Sequence, residues 1–66
     1  MKICDFTKPE LDYFREMCNF TDEEMRYFNM RARDKSNIEI ALEMHVSEPK
    51  VSKLARKVKD KMKRVI

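Results

Sequence analysis

The sequence predicts an all-α domain of four short helices with a C-terminal helix-turn-helix. Three observations carry this. Helix-start signatures occur four times at short intervals, and apolar residues between them recur at three- and four-residue spacing. No run of alternating β-branched residues and no hairpin turn pair interrupts them. The 66 residues form one domain, and at about 60 residues a domain buries only roughly 60% of the surface its unfolded chain exposes. Such a thin core excludes a deep substrate cavity and a two-domain enzyme. Charged residues make up 41% of the chain, which alone suggests disorder, but 42% are hydrophobic and that is enough to build a core.

The first helix is predicted over 8–18. Thr7-Lys8-Pro9-Glu10 is a capping box, in which the hydroxyl takes an orphan N–H and the glutamate reaches back. Phe6 and Leu11 flank it at staple positions, and Leu11, Phe14 and Cys18 share a face. Thr21-Asp22-Glu23-Glu24 is a second box with Phe20 and Met25 as its staple, opening a helix over 22–33. Its apolar face is Met25, Phe28 and Ala32, with Tyr27 and Met30 beside it. Ser36-Asn37-Ile38-Glu39 is a third box, for a helix over 37–44 that turns Ile40, Ala41 and Met44 inward. Ser47 opens the last helix, 48–65, without the glutamate; Pro49 sits in the first turn, where its missing N–H costs nothing. Val51, Leu54, Val58, Met62 and Val65 form its apolar stripe. Helices commonly end in a left-handed glycine. This chain has no glycine, so Asn19, Asp34 and His45 are expected in that role.

Charge is distributed unevenly. Residues 1–33 carry six Lys/Arg against seven Asp/Glu, whereas residues 34–66 carry nine against five. From Lys50 to Ile66 there are eight cations and a single anion, Asp60. That segment suggests a polyanionic partner. Apolar runs such as Ala41-Leu42 fall far short of the roughly 20 residues a bilayer span needs. The start, Met1-Lys2-Ile3-Cys4-Asp5, lacks the apolar stretch of a secretion signal, so the expected location is cytoplasmic and nucleoid-associated. Cys4 and Cys18 are then expected as free thiols. With His45 as their only further strong candidate ligand, no metal site, cofactor or small-molecule ligand is expected. No paired carboxylates, Ser/His/Asp set or phosphate-cradling glycine loop points to an enzyme.

Residues 37–56 satisfy the requirements of a helix-turn-helix. Ala41 is small where the helices would cross, Val46 plugs the turn, and Val51 with Leu54 face inward, leaving the other faces of the second helix free for DNA. At about 100° per residue, Lys50, Lys53, Lys57, Lys61 and Arg64 form one outer stripe and Ser52, Arg56, Lys59 and Lys63 another. The N-terminal end of such a helix reads bases, which assigns Ser47, Glu48, Lys50, Ser52 and Lys53 to that role. Lys35, Ser36 and Asn37, at the start of the third helix, together with Arg56, Lys57, Lys61 and Arg64, are the expected phosphate contacts.

On these residues the chain resembles region 4 of sigma-70-type sigma factors and the related LuxR-type DNA-binding domain. The resemblance rests on Phe20-Thr21-Asp22-Glu23-Glu24, Ser36-Asn37-Ile38-Glu39-Ile40-Ala41, Val46-Ser47-Glu48-Pro49-Lys50-Val51 and Val58-Lys59-Asp60-Lys61-Met62. A helix preceding this element favours the region 4 plan. The resemblance implies a tetrahelical domain whose last helix enters the major groove, as region 4 does at the promoter −35 element, and a face that docks on RNA polymerase. The chain departs from the pattern at Lys50, where threonine is usual, at Ser52, where a cation is common, and at Asp34 and His45, which stand for customary glycines. With no room for a promoter-melting region, a small stand-alone regulator of phage or mobile-element type is the expectation.

The expected function is therefore sequence-specific binding of double-stranded DNA in transcription regulation. The second reading is a protein-interaction module that engages RNA polymerase or a sigma factor, with the acidic Asp22-Glu23-Glu24 as its surface or, more simply, as helix-dipole stabilisation. A homodimer is expected through Met62, Val65 and Ile66, which project beyond the expected core.

Overall fold

The computed structural model describes residues 3–66. A 3-10 turn, Ile3–Asp5, precedes α1 (Lys8–Met17), α2 (Asp22–Ala32), α3 (Asn37–Met44) and α4 (Glu48–Val65). No strand occurs among the described residues. The fold is all-α with four helices, and no helix is long and apolar enough to cross a membrane.

Every helix starts where its cap places it. Thr7, Thr21, Ser36 and Ser47 are extended N-caps, and the first three close full boxes with Glu10, Glu24 and Glu39. The Thr7 and Thr21 N–H groups donate to those glutamates at 2.8 and 2.9 Å. Helices α1 and α2 each end one residue earlier than expected, because Cys18 and Arg33 serve as C-caps. Asn19, Asp34 and His45 take positive φ, at 51°, 63° and 57°. These polar side chains hold the left-handed region in place of glycine.

The core is organised along α4. Val51, Leu54, Val58 and Met62 are buried on one face, in one core with Phe28 and Tyr27 of α2, Ile40 and Ala41 of α3, Phe14 of α1 and its C-cap Cys18. Helix α1 reaches the far end of α4, where the Tyr13 hydroxyl donates to the Val65 carbonyl at 3.1 Å. Edge-to-face contacts run from Phe6 to Phe14 to Phe28, and Phe20 tilts against Phe28 at 5.1 Å. The 3-10 turn, which the pattern did not predict, packs Ile3 against α2 with 2% of its surface exposed.

Two expectations about faces are corrected. The inner face of α2 is centred on Glu24, Tyr27 and Phe28, while Met25 and Ala32 lie half-buried at its edge. Glu24 turns inward because it is held from both sides, as described below. Met62 is fully buried, so it cannot be a dimer contact. It follows Val58 by one helical turn and completes the same inward stripe. Val65 is half-buried, and Ile66 alone of the three is well exposed. Met62→Ala is expected to destabilise the fold by about 2–5 kcal/mol, through lost burial and a cavity. Thermal unfolding should show the same loss at every protein concentration; a loss that vanished on dilution would restore Met62 to an interface.

Candidate nucleic-acid interface

Helices α3 and α4 pack against each other where the helix-turn-helix is expected. Ala41 is 7% exposed at the crossing, Val51 is fully buried and Leu54 nearly so. Between the helices the chain turns through the left-handed His45, and the Val46 N–H donates to the Ala41 carbonyl at 3.1 Å. Val46 lies half-buried in the turn. This packing uses one face of α4 and leaves the rest of its circumference outward.

The two outer flanks of α4 face different surroundings. On the α3 side, an open groove of about 330 Å³ is lined by Asn37, Ser52, Ala55, Arg56, Lys59, Asp60 and Lys63, three cations and one carboxylate. On the α2 side, a smaller groove of about 230 Å³ brings Lys50, Lys53 and Lys57 beside Thr21, Glu23 and Glu24. There Lys50 Nζ lies 3.6 Å from a Glu23 carboxylate oxygen. Lys61 Nζ donates to Glu24 at 2.5 Å and to the Asn19 carbonyl at 3.3 Å. The start of α2 is thus turned against α4: Glu24 is buried there, whereas Glu23 stays exposed beside Lys50.

The candidate residues accordingly divide. Among the described residues, Lys53, Arg56, Lys57, Lys59, Lys63 and Arg64 make no ion pair. Ser52, Lys53 and Glu48 are exposed over the first turns of α4. The Ser47 hydroxyl is occupied as the cap, accepting the Lys50 N–H at 3.4 Å. Ser36 caps α3 in the same way, and Asn37 opens that helix beside Arg56. Lys35 pairs with the Glu43 carboxylate, and its carbonyl accepts from Arg31 at 2.7 Å. Lys61 is committed to Glu24, which corrects its reading as a free phosphate contact. Arg64 is exposed near the α1–α2 connection, about 21 Å along the helix from Lys50. Lys59 and Lys63 line the α3-side groove; their spacing from Ser52 and Arg56 marks that face, although they were not among the expected contacts.

Among the described residues, Glu24 is the one buried charged residue, at 3% exposure. Burial pushes its carboxyl up. The Lys61 ammonium, the Thr21 N–H and the Thr21 hydroxyl outweigh burial and hold it below the usual carboxylate range. Burial pushes the Cys18 thiol up; desolvation and the hydrogen bond to Asp34 do the same for Cys4, and both cysteines are free. Among the described residues no group of three or more His, Cys, Asp or Glu is placed to hold a metal ion.

A lowered native pKa stabilises the fold above the unfolded-state value, about 4.3, and that contribution is lost as pH falls through the native value. Glu24→Gln should therefore flatten the acid limb of a stability–pH curve measured by urea unfolding. Lys61→Met keeps the methylenes but strands the carboxylate, and should cost about 1–3 kcal/mol at neutral pH. The double variant should recover part of that loss. Compared with protein-family models, curated proteins and solved structures, the chain matches none.

Proposed function

We propose that this chain is a sequence-reading module for double-stranded DNA that acts in transcription regulation, with α4 in the major groove. The observation that carries the reading is the outward surface of α4. Six cations without an acidic partner lie on a helix whose opposite face is locked into a helix-turn-helix seam. A helix about 10–12 Å across fits a major groove about 12 Å wide, so its flanks meet the phosphates of both walls.

In this reading Arg56, Lys59 and Lys63 meet one wall, joined by Asn37 and the N–H groups that open α3. Lys57 meets the other wall. Ser52, Lys53 and Glu48 face the base edges: lysine donates to guanine, glutamate accepts from cytosine, and serine is permissive. Lys50 joins them by exchanging Glu23 for a base, at a cost within the 0–1 kcal/mol typical of an exposed pair. The likeness of residues 20–64 to sigma region 4 supports the same placement of the last helix. The alternative, docking on RNA polymerase or a sigma factor through the acidic start of α2, is weakened because Glu23 and Glu24 already face lysines of α4.

Selection from randomised duplex DNA at near-physiological salt should enrich a motif; no enrichment together with salt-insensitive binding would overturn the proposal. Arg56→Ala and Lys59→Ala should each weaken binding to all duplexes and reduce the salt slope by about 0.9. Lys53→Ala should instead relax preference at one position, at a cost of about 1–3 kcal/mol for the preferred base. Titrations on matched and scrambled duplexes at several salt concentrations separate these outcomes.

A further inference from the structure

A second basic groove lies between α1 and α2. It is open, about 480 Å³ in volume, and lined by Lys8, Leu11 and Arg15 of α1, Asn29 and Ala32 of α2, and the C-cap Arg33. No residue of α4 lines it, so the proposed function makes no use of it. Three of its six lining residues are cations and none is an acid. That is unlike its surroundings, since residues 1–33 as a whole carry six Lys/Arg against seven Asp/Glu. We propose that this groove docks an acidic peptide segment of a partner protein, one that carries an apolar side chain among its carboxylates.

Charge complementarity argues for that occupant. Lys8 and Arg33 are exposed and make no ion pair among the described residues. Lys8 lies in the first turn of α1, where the helix dipole opposes a cation, so helix stability does not account for it. Arg15 is half-buried and already held in place. Its Nε donates to Asn29 Oδ1 at 2.9 Å and its Nη1 to Asp12 at 2.7 Å, while the guanidinium carbon lies 5.4 Å from the centre of the Phe28 ring. Asp12 offsets one of the three positive charges, but it does not line the groove. Lys8 and Arg33 therefore remain for a partner's carboxylates, and the remaining donors of Arg15 meet one at little entropic cost, because its planar fork is pre-organised. Opposite charge steers the encounter and rejects basic segments. Leu11 and Ala32, both half-buried, put apolar surface in the same lining. A phosphodiester chain offers nothing apolar along its backbone to cover them. A peptide offers carboxylates and apolar side chains together, which favours it over a nucleic acid.

The test selects a display library of random dodecapeptides on the native chain, with counter-selection on the Lys8→Gln/Arg33→Gln variant. Both side chains are exposed, so the variant should unfold at the native temperature. Enriched peptides should combine Asp or Glu with Leu, Ile or Phe. They should bind the native chain about three- to tenfold more tightly than the variant, as the loss of two exposed ion pairs implies. With the tightest peptide, amide shifts of the native chain should concentrate at Leu11, Arg15, Asn29, Ala32 and Arg33. The same peptide with Asn and Gln in place of its Asp and Glu should lose most of its affinity, a comparison made on the native chain alone. No enrichment, enriched peptides without acids, equal affinity for both proteins, or shifts confined to α4 overturn the inference. So does a duplex or single-stranded oligonucleotide that shifts the groove amides as strongly as the peptide. The DNA reading is tested separately on the same two proteins. The variant should bind the selected duplex within about twofold of the native chain, because its changes lie off α4. Failure of the native chain to bind any duplex ends that reading and leaves this one to the peptides.

Discussion

One helix has to be both the spine of the core and the cationic surface of the molecule. Helix α4 supplies Val51, Leu54, Val58 and Met62 to the interior and eight lysines and arginines to its other faces. In a chain of 66 residues no second layer of helices stands behind it. The apolar stripe must therefore be filled by whatever α1, α2 and α3 present, and the helix cannot roll without unburying its core. That constraint fixes which cations face outward, and hence the polarity of any surface built on them.

The second consequence is electrostatic. A lysine-rich helix repels itself, and the fold relieves this with ion pairs on the α2 side, whereas the α3 side has Asp60 alone among its cations. Glu23 and Glu24, at the start of α2, meet Lys50 and Lys61, while the flank bearing Arg56, Lys59 and Lys63 meets the opening of α3. The buried Glu24 carboxylate accepts from Lys61 and from the Thr21 N–H, and the Glu24 backbone N–H donates to the Thr21 hydroxyl. A buried carboxylate needs such company, since desolvation otherwise exceeds the Coulombic gain. This pair ties the first turn of α2 to the fourth turn of α4. The asymmetry leaves Arg56, Lys59 and Lys63 of the α3 flank without an ion pair among the described residues.

The features legible in the sequence were local ones. A Ser or Thr cap, a glutamate three residues on, and an Asn, Asp or His where a left-handed residue must stand act within a few residues, so helix order and starts could be read directly. The apolar stripe of α4 was equally plain, because five residues at helical spacing leave one face to bury. The misread features depend on what another helix brings. Glu24 read as a cap residue and as part of an exposed acidic start, because its second partner is 37 positions away. Lys61 read as one of five equivalent cations for the same reason. Met62 read as surplus because the reach of α1 along α4 has no local signature. Ile38 and Leu42 sit in a helix whose other apolar residues are buried, and the sequence does not mark which pair stays outside.

The absence of glycine shapes the turns in a further way. A left-handed residue with a Cβ carries a steric cost of roughly 1–2 kcal/mol, least for Asn and Asp. In return it gains a side chain, and a stiffer unfolded chain than glycine would leave. At Asp34 the carboxylate accepts the Cys4 thiol at 3.4 Å, tying the α2–α3 turn to the 3-10 turn. At Asn19 the carbonyl accepts from Lys61, tying the α1–α2 connection to α4. Two of the three turns are thus anchored to distant parts of the chain at the residue where the backbone is least relaxed. Asp34 lies three residues before Asn37, so the same anchor fixes where α3 begins. The opening of α3 forms one wall of the cationic groove. The groove is held from behind by a turn that glycine would have left loose, and a rigid cation array loses less entropy on meeting a polyanion than a mobile one.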